Sequence, residues 1–318
     1  MGTSGRSLAA VWLLLGLGAG PAASQPDCAW CGPGVVPPAS LEGVVDLHVH
    51  SAPDSGPRSI DALQLARIAR DRGMRGLLLK NHYAPTAGLA FLVERAVPEL
   101  RVFGGIALNA SSGINPVAVD HMARTTGGHG RVVWMPTFDS EHYHRVLAPN
   151  PRHVPVSRDG ALLPEVLDVL DMIARHGLVL ATGHSSPGES LMLLEEARRR
   201  GVTRMLVTHP LPPPVAMGVD QQRKAAELGA MLEYPVGATL DTNPTWDIPE
   251  AEKFDAYVRA IRGVGPESVV VTSDLGQSMN PLHTDGLAVF VGRLAKAGFS
   301  EADLDLMVRR NPAWLLGL

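Results

Sequence analysis

Two histidines in the stretch Asp46-Leu47-His48-Val49-His50 have the spacing of ligands for one metal ion. The stretch follows directly on apolar residues, which predicts a buried β-strand. Residues i and i+2 of a strand point to the same face, so both imidazoles are expected to project together from its carboxyl end. Two imidazoles placed in this way suit a divalent metal ion. The pattern also arises by chance, so the prediction of a metal site depends on what the other strands supply.

The elements that would position these histidines are short apolar runs separated by helical patterns. The runs are continuously apolar rather than alternating, which is typical of parallel strands buried on both faces. The predicted strands are Val44–His50, Gly76–Lys80, Val102–Ala107, Val132–Met135, Leu178–Gly183, Arg204–Thr208, Ala230–Glu233 and Ser268–Thr272. This order indicates an α/β fold, a (β/α)8 TIM barrel in a single domain over residues 44–318. The alternative, a doubly wound open sheet, usually carries a glycine-rich phosphate turn after its first strand, where this chain has His48 and His50.

Capping residues and glycine stops predict helices between most of these strands. The predicted helices run from Ser59 or Asp61 to Asp71, and over about Leu162–Arg175, Ser186–Gly201, Met217–Leu228, Glu250–Arg262, Asp285–Ala297 and Glu301–Arg309. The connection 137–161 is unusually long, as a lid or substrate loop often is. Asp139, His142 and Tyr143 of this connection, together with Trp246, are expected to line a pocket.

Polar side chains stand at the end of every predicted strand. In a barrel these ends converge on one mouth, where catalytic groups come from several strands. Strand one ends in His48 and His50, strand two in Lys80-Asn81-His82, strand five in His184, strand six in His209 and strand eight in Asp274. Imidazole and carboxylate groups suit zinc and other divalent first-row metals. The four strand-end histidines of strands one, five and six therefore form, with Asp274, a candidate ligand set.

At this point the chain resembles the amidohydrolase superfamily over roughly residues 44–318. The matching motifs are Asp46–His50, His184, His209, Thr272-Ser273-Asp274 and the C-terminal stretch Asn311–Leu318. The order and spacing of these motifs are fairly specific to the superfamily but not to any one activity.

The resemblance implies a role for each matching residue. His48 and His50 would bind the metal with His184 as a further ligand, and His209 would bind a second metal or polarise a substrate carbonyl. Asp274 would ligate the metal and act as general base. The implied reaction is hydrolysis of a C–N or C–O bond in an amide, lactone or ester of a small carbonyl compound, by a metal-bound hydroxide. A divalent ion makes hydroxide available by lowering the pKa of bound water from about 15.7 toward about 7.

The chain departs from the binuclear pattern of that superfamily at strand four. Binuclear members usually take a bridging carboxylated lysine or a glutamate from this strand, whereas strand four here ends Trp134-Met135-Pro136-Thr137. Lys80 ends strand two instead. It could be a carboxylated bridge, an anchor for an anionic substrate, or a buried cation paired with Asp274 or Glu233. One divalent ion, with Zn²⁺ as the first choice, is therefore favoured over two.

Two other enzymatic functions remain open. A metal phosphoesterase of the polymerase-and-histidinol-phosphatase type has similar motifs around His48, Asn81-His82 and Asp274, although Asn109 stands near the position of its third-motif glutamate. A decarboxylase or other lyase on the same barrel is the second. A barrel that only binds a ligand is a further alternative, but it would not need the general base Asp274.

Composition restricts the partners of the chain. Its 318 residues are 45% hydrophobic and 19% charged, which is enough apolar material for a large buried core. The net charge of −4 and the pI near 6.3 argue against nucleic acid as a partner, because no basic stripe is available to neutralise phosphates. A small molecule is the expected substrate, and a homo-oligomer remains open.

The N-terminal residues have the composition of a secretory signal. The apolar run Leu8–Gly18 is too short for a membrane span, and small residues that suit cleavage follow it. Residues 1–24 are therefore predicted to be a signal peptide, and the protein to be secreted or periplasmic, or cytoplasmic if the start is mis-assigned. Residues 25–43 read as a Pro/Gly-rich linker in which Cys28 and Cys31 form a local disulfide. No later segment approaches the length of a membrane span.

Overall fold

Eight parallel strands form the barrel that the sequence predicts. The computed structural model describes residues 38–149 and 152–318. The barrel strands are β1 (Val45–Val49), β2 (Gly76–Leu79), β3 (Arg101–Ala107), β4 (Gly130–Trp134), β5 (Val179–Ala181), β6 (Arg204–Val207), β7 (Ala230–Pro235) and β8 (Val269–Thr272). Each strand pairs in parallel with the next one along the chain, from β1 to β8. The (β/α)8 prediction is confirmed.

Helices connect the strands and cover the outside of the barrel. They are α1 (Ala62–Asp71), α2 (Ala87–Ala96), α3 (Pro116–Ala123), α4 (Glu141–Val146), α5 (Pro164–His176), α6 (Pro187–Arg199), α7 (Val219–Glu227), α8 (Glu250–Val264), α9 (His283–Lys296), α10 (Glu301–Asp305) and α11 (Asn311–Leu316). Local chemistry explains where several of them begin. The Asp61 carboxylate caps α1 by accepting from the backbone N–H of Gln64, and Ser186 and Glu189 form a reciprocal capping box on α6.

Large apolar side chains fill the inside of the barrel, so the barrel is a packed core and not a pore. Trp134 of β4 and Phe103 of β3 are almost completely buried there. Gly105 of β3 makes room for the indole, because a Cβ at this position would lie 2.6 Å from the Trp134 ring. Leu315 and Leu316 of α11 join the same core. Within the described part of the chain, polar groups from several strands can therefore converge at the carboxyl ends of the strands.

The seam between β8 and β1 is closed by one isolated bridge, between Val49 and Leu275, and not by a continuous ladder of paired residues. Asp46 lies inside this seam, where its Oδ1 accepts hydrogen bonds from the backbone N–H groups of His48, at 3.1 Å, and Ser273, at 3.0 Å. The N–H of Asp274 donates to the carbonyl of His48 at 2.9 Å, and the N–H of His50 donates to Leu275 at 3.1 Å. These contacts fix the end of β8 against the end of β1.

Several predicted elements differ from the structure. The sequence missed α2 and α3, although Asn115 caps α3 and Pro116 opens it, a recognisable start signal. The connection 137–161 is not an irregular loop, since it contains α4 and the first strand of a short hairpin, Ser157–Arg158 with Ala161–Leu162. The helix predicted over Glu301–Arg309 is present, but it is not one regular α-helix and it continues beyond Arg309. The chain there forms α10, a π-helical turn over Leu306–Arg310, and α11.

The predicted signal peptide (1–24) and most of the predicted linker, including Cys28 and Cys31, lie outside the described residues. In the part of the chain that is described, no helix has both the length and the apolar character needed to cross a bilayer.

Candidate metal centre

Three of the five predicted ligands meet at one point of the barrel mouth. His48 and His50 stand at the end of β1, and Asp274 follows β8 across the seam. The Nε2 atoms of the two histidines are 3.2 Å apart, and Asp274 Oδ1 lies 3.1 Å from His48 Nε2 and 3.2 Å from His50 Nε2. Both histidines are buried, whereas the Asp274 side chain is 20% exposed. The seam contacts described above bring these three side chains together.

Hydrogen bonds on the far side of each ring fix the tautomers of the two histidines. His48 Nδ1 lies 2.8 Å from the Glu233 carboxylate, and His50 Nδ1 lies 3.1 Å from the carbonyl of Lys80. A carbonyl can only accept, so His50 Nδ1 carries the proton, and His48 Nδ1 carries it when the Glu233 carboxyl is ionised. Both Nε2 atoms then present lone pairs toward each other and toward the Asp274 carboxylate.

Three lone pairs this close together repel one another unless a cation lies near them, and their spacing fits a metal ion. A metal–ligand distance of about 2.1 Å places ligand atoms about 3.0 Å apart at right angles and about 3.4 Å apart at the tetrahedral angle. The observed separations of 3.1 to 3.2 Å fall within this interval. Nitrogen and carboxylate oxygen are ligands that suit Zn²⁺ and related divalent ions. The residues present therefore fit the group that the sequence predicts.

Burial keeps these imidazoles neutral, which is the form that binds metal. Loss of solvation lowers the pKa of His48 to about 3 and that of His209 to about 4, and it holds the pKa values of His50 and His184 well below the ordinary value. Protons therefore do not compete with a metal ion for these nitrogens at neutral pH.

The other two predicted ligands, His184 and His209, pair with each other. Their Nε2 atoms are 3.2 Å apart, and the rings of His209 and His48 stack with centroids 6.3 Å apart. Among the described residues, neither His184 Nδ1 nor His209 Nδ1 has a hydrogen-bond partner. Both histidines line the same cavity as the first three ligands, but they form a second donor pair rather than completing the first group.

Lys80 lies directly beside the first group. Its Nζ is 2.9 Å from His48 Nε2, and its ammonium lies over the Trp134 ring at 5.4 Å from the centroid. Burial lowers the pKa of this amine, while the charges of Asp274 and Glu233 oppose the shift. Within residues 38–149 and 152–318, no ion pair at 4.0 Å or less joins Lys80 to either carboxylate. A direct ion pair, one of the three roles expected for Lys80, is therefore not formed.

Glu233 has a larger part in the site than the sequence indicated. Besides His48 Nδ1, it accepts the Thr272 hydroxyl at 3.1 Å and the backbone N–H of His209 at 3.3 Å. It therefore connects the first ligand group to the His184–His209 pair. Burial raises the pKa of Glu233 to about 7, and it raises the pKa of Asp46 in the neighbouring seam to about 7 as well.

The cavity above these groups has a volume of about 360 Å³, which suits a small molecule. Its apolar wall includes Phe138, Tyr143 and Pro212–Pro214. Arg58, which the sequence did not single out, also lines it and is held by the Asp54 carboxylate at 2.6 Å. No strand-end position or motif marked this arginine in advance.

Of the four residues expected to line the pocket, Tyr143 does so, whereas Asp139, His142 and Trp246 do not line the cavity. Asp139 accepts the backbone N–H of Ala110 at 2.9 Å, and His142 bonds to the carbonyl of Pro214 at 2.8 Å. Both side chains are used to hold loops, and Trp246 packs on Tyr257.

Comparison with known proteins places this barrel in a family. Residues 43–233 match the sequence model of a family of unknown function, DUF6282, and the chain belongs to that family. No match was found among curated proteins.

Solved structures share the barrel. The organophosphorus hydrolase from Deinococcus radiodurans has a TM-score of 0.57 at 16% identity, covering 87% of this chain and 93% of that one. The phosphotriesterase homology protein from Escherichia coli has a TM-score of 0.56 at 17% identity, covering 86% and 98%. An amidohydrolase from Pseudomonas aeruginosa has a TM-score of 0.60 at 11% identity, covering 87% and 97%. At these identities the likeness establishes the fold, which is the barrel expected from the resemblance to the amidohydrolase superfamily.

Proposed function

We propose that this protein is a metal-dependent hydrolase that acts on a C–N or C–O bond of a small carbonyl compound. The observation that carries the proposal is the convergence of two fixed imidazole lone pairs and the Asp274 carboxylate, all within 3.2 Å of one another. Solved barrels of the same fold that are named as hydrolases support it. A divalent ion held at this point would lower the pKa of a bound water toward about 7 and would polarise a substrate oxygen.

The residues of the chain have separate roles in this proposal. His48 and His50 hold the ion, and Glu233 keeps His48 in the tautomer that can bind. Asp274 is both a ligand and the group that takes a proton from the attacking water, because its side chain remains partly exposed to the cavity. Lys80 faces the same space as a hydrogen-bond donor for an anionic part of the substrate.

The ligand geometry supports Zn²⁺ as the ion, with one ion bound by His48, His50 and Asp274. The His184–His209 pair offers two more nitrogens, so we place a second, weaker ion there. Metal titration followed by elemental analysis separates the two positions. His48→Ala is expected to abolish the tighter binding step, and His184→Ala only the weaker one. Binding that survives His48→Ala at full stoichiometry would contradict this assignment.

Activity is tested with a panel of carboxylic amides, lactones, esters and phosphoesters. Asp274→Asn keeps an oxygen ligand but cannot accept a proton, so it is expected to abolish turnover of any substrate found while retaining some metal. His121→Ala, on an exposed position of α3, is the matched control and should behave like the wild type. A wild-type protein that binds no metal under metal-replete conditions would refute the proposal. Turnover of phosphoesters alone would favour the phosphoesterase alternative.

We also propose that the protein is exported, on the basis of the apolar run Leu8–Gly18 and the small residues after it. The N-terminal sequence of protein recovered from the medium or periplasm should then begin near Ser24 or Gln25. A mature chain that begins at Met1 would contradict export by this route.

A further inference from the structure

His82 lies in the wall of the cavity, next to the candidate ligands, and its ring packs against two other rings. The ring stacks on His50 with centroids 4.9 Å apart and an interplanar angle of 22°, and the Phe138 ring lies with its centroid 4.1 Å away at an angle of 39°. The side chain is 6% exposed. The orientation of the ring is therefore set by packing, and which of its two nitrogens carries a proton decides whether it can donate a hydrogen bond into the cavity.

The hydrogen bonds of Asn109 begin a chain of donors that ends at this ring. Asn109 Oδ1 accepts from the backbone N–H groups of Thr137, at 2.8 Å, and Asp139, at 3.2 Å. Its Nδ2 donates to the carbonyl of His82 at 2.8 Å and to the Thr137 hydroxyl oxygen at 2.7 Å. The opposite amide orientation would face N–H against N–H and oxygen against oxygen, so the assignment is unambiguous.

The Thr137 hydroxyl passes this direction on to His82. Thr137 is fully buried, and its oxygen already accepts from Asn109, so its own hydrogen needs an acceptor. Among the described residues the one acceptor within reach is His82 Nδ1, at 2.9 Å. An imidazole nitrogen that accepts a hydrogen bond carries no proton, so Nδ1 is unprotonated and the ring has a single proton. That proton is on Nε2.

We propose that His82 is an oxyanion-binding residue, which donates its Nε2–H to the substrate oxygen that gains negative charge when the carbonyl is attacked. His82 lines the cavity and Thr137 does not, so the nitrogen facing Thr137 points into the protein and Nε2 is left to face the cavity. A neutral imidazole locked as a donor stabilises such charge without being consumed as a base. The ligand class is a tetrahedral oxyanion, and the inference rests on the proposed hydrolase function. Asn109 and Thr137 are positioning residues.

The tautomer is tested first, in metal-free protein labelled with ¹⁵N-histidine. Two-bond ¹⁵N–¹H correlation spectra distinguish protonated Nε2 from protonated Nδ1 for each ring. The wild type and the control Thr137→Ser, which keeps the hydroxyl, are expected to show His82 protonated on Nε2. Thr137→Val keeps the side-chain volume but removes the donor, and should shift a measurable fraction of the proton to Nδ1. A wild-type His82 protonated on Nδ1 would overturn the proposal.

Oxyanion binding is tested next, with inorganic phosphate as the probe and zinc-loaded protein in a calorimetric titration. His82→Phe keeps the stacked ring but not the donor, and is expected to weaken the Kd for phosphate about 10- to 100-fold with unchanged zinc content. Thr137→Val should weaken it by a smaller factor, and Thr137→Ser hardly at all. Equal phosphate affinity in the wild type and His82→Phe would overturn the donor role. If the wild type binds no zinc, the hydrolase proposal fails instead, and the tautomer measurement still decides whether His82 is a donor.

Discussion

Glu233→Gln offers the sharpest test of the idea that hydrogen bonds behind the ligands create the metal site. The carboxylate accepts three hydrogen bonds, from His48 Nδ1 at 2.8 Å, from the Thr272 hydroxyl at 3.1 Å and from the His209 backbone at 3.3 Å. An amide has the same shape but only one accepting atom. If its oxygen faces His48 and Thr272, its NH₂ group faces the N–H of His209.

The alternative orientation of the amide is worse for metal binding. With NH₂ toward His48, the imidazole must accept at Nδ1 and carry its proton on Nε2, which removes the lone pair that binds the ion. One orientation therefore places two donors against each other at His209, and the other gives His48 the tautomer that cannot bind the ion. Loss of such a supporting bond typically weakens metal affinity about 10- to 100-fold, or about 1.4 to 2.7 kcal/mol.

Competition of the purified protein with a chromophoric chelator measures this affinity directly, for Zn²⁺ and for Co²⁺. The d–d absorption of Co²⁺ reports in addition whether the ligand geometry has changed. Thr272→Val is the matched control, because it removes one donor to Glu233 and leaves the His48 contact in place. We expect this control to bind metal within about threefold of the wild type, since the bond that sets the tautomer is intact. A Glu233→Gln protein that binds zinc as tightly as the control would refute the reasoning.

Three further predictions follow from other parts of the site. Gly276→Ala should destabilise the protein by about 3 kcal/mol or more in a urea titration, because φ is +123° there and a Cβ would lie 2.0 Å from the His50 carbonyl oxygen. The control Gly188→Ala, where a Cβ would meet open space, should not destabilise the protein. Lys80→Met should reduce any preference for anionic over neutral esters about tenfold, and an unchanged preference would exclude Lys80 as the anchor. The metal-free protein should lose stability as the pH falls from about 6.5 toward 4, because burial lowers the pKa values of six histidines and the unfolded chain then binds more protons than the folded chain. The raised pKa values of Asp46 and Glu233 act in the opposite sense up to about pH 7, but these are fewer groups. A midpoint of urea unfolding that rises on acidification would contradict this balance.

The barrel and its ligand positions could be predicted from the sequence because both depend on local patterns. Apolar runs mark buried parallel strands, and the residues that follow them must lie at one mouth, so the meeting of His48, His50 and Asp274 follows from topology. Helices α2 and α3 were missed because weak amphipathic patterns do not distinguish them from loops. Arg58 could not be predicted, because its place depends on an ion pair with Asp54 within one loop.

The division of the ligands into two groups could not be predicted either. Strand order places His184 and His209 next to each other in the segments that follow β5 and β6, but the distance between their rings depends on rotamers and on the backbone conformation at the strand ends. His209 has a positive φ of 24° and Asp274 has one of 48°, and these backbone conformations cannot be predicted from the residue types. The tautomers of His48 and His82 cannot be predicted from the sequence either, because their partners Glu233 and Thr137 are distant from them along the chain.

The closing seam of the barrel and the candidate metal site depend on the same contacts. A barrel needs its first and last strands joined, and here the Asp46 carboxylate supplies an acceptor that a backbone carbonyl would otherwise provide, for the N–H of Ser273. This hydrogen bond, together with the one from the Asp274 N–H to the His48 carbonyl, fixes the position at which Asp274 follows β8. The ligand atoms of β1 and β8 thus meet within 3.2 Å because the seam fixes both backbones. A change that loosens the seam should therefore reduce metal affinity before it unfolds the barrel, since the seven paired strand interfaces remain intact.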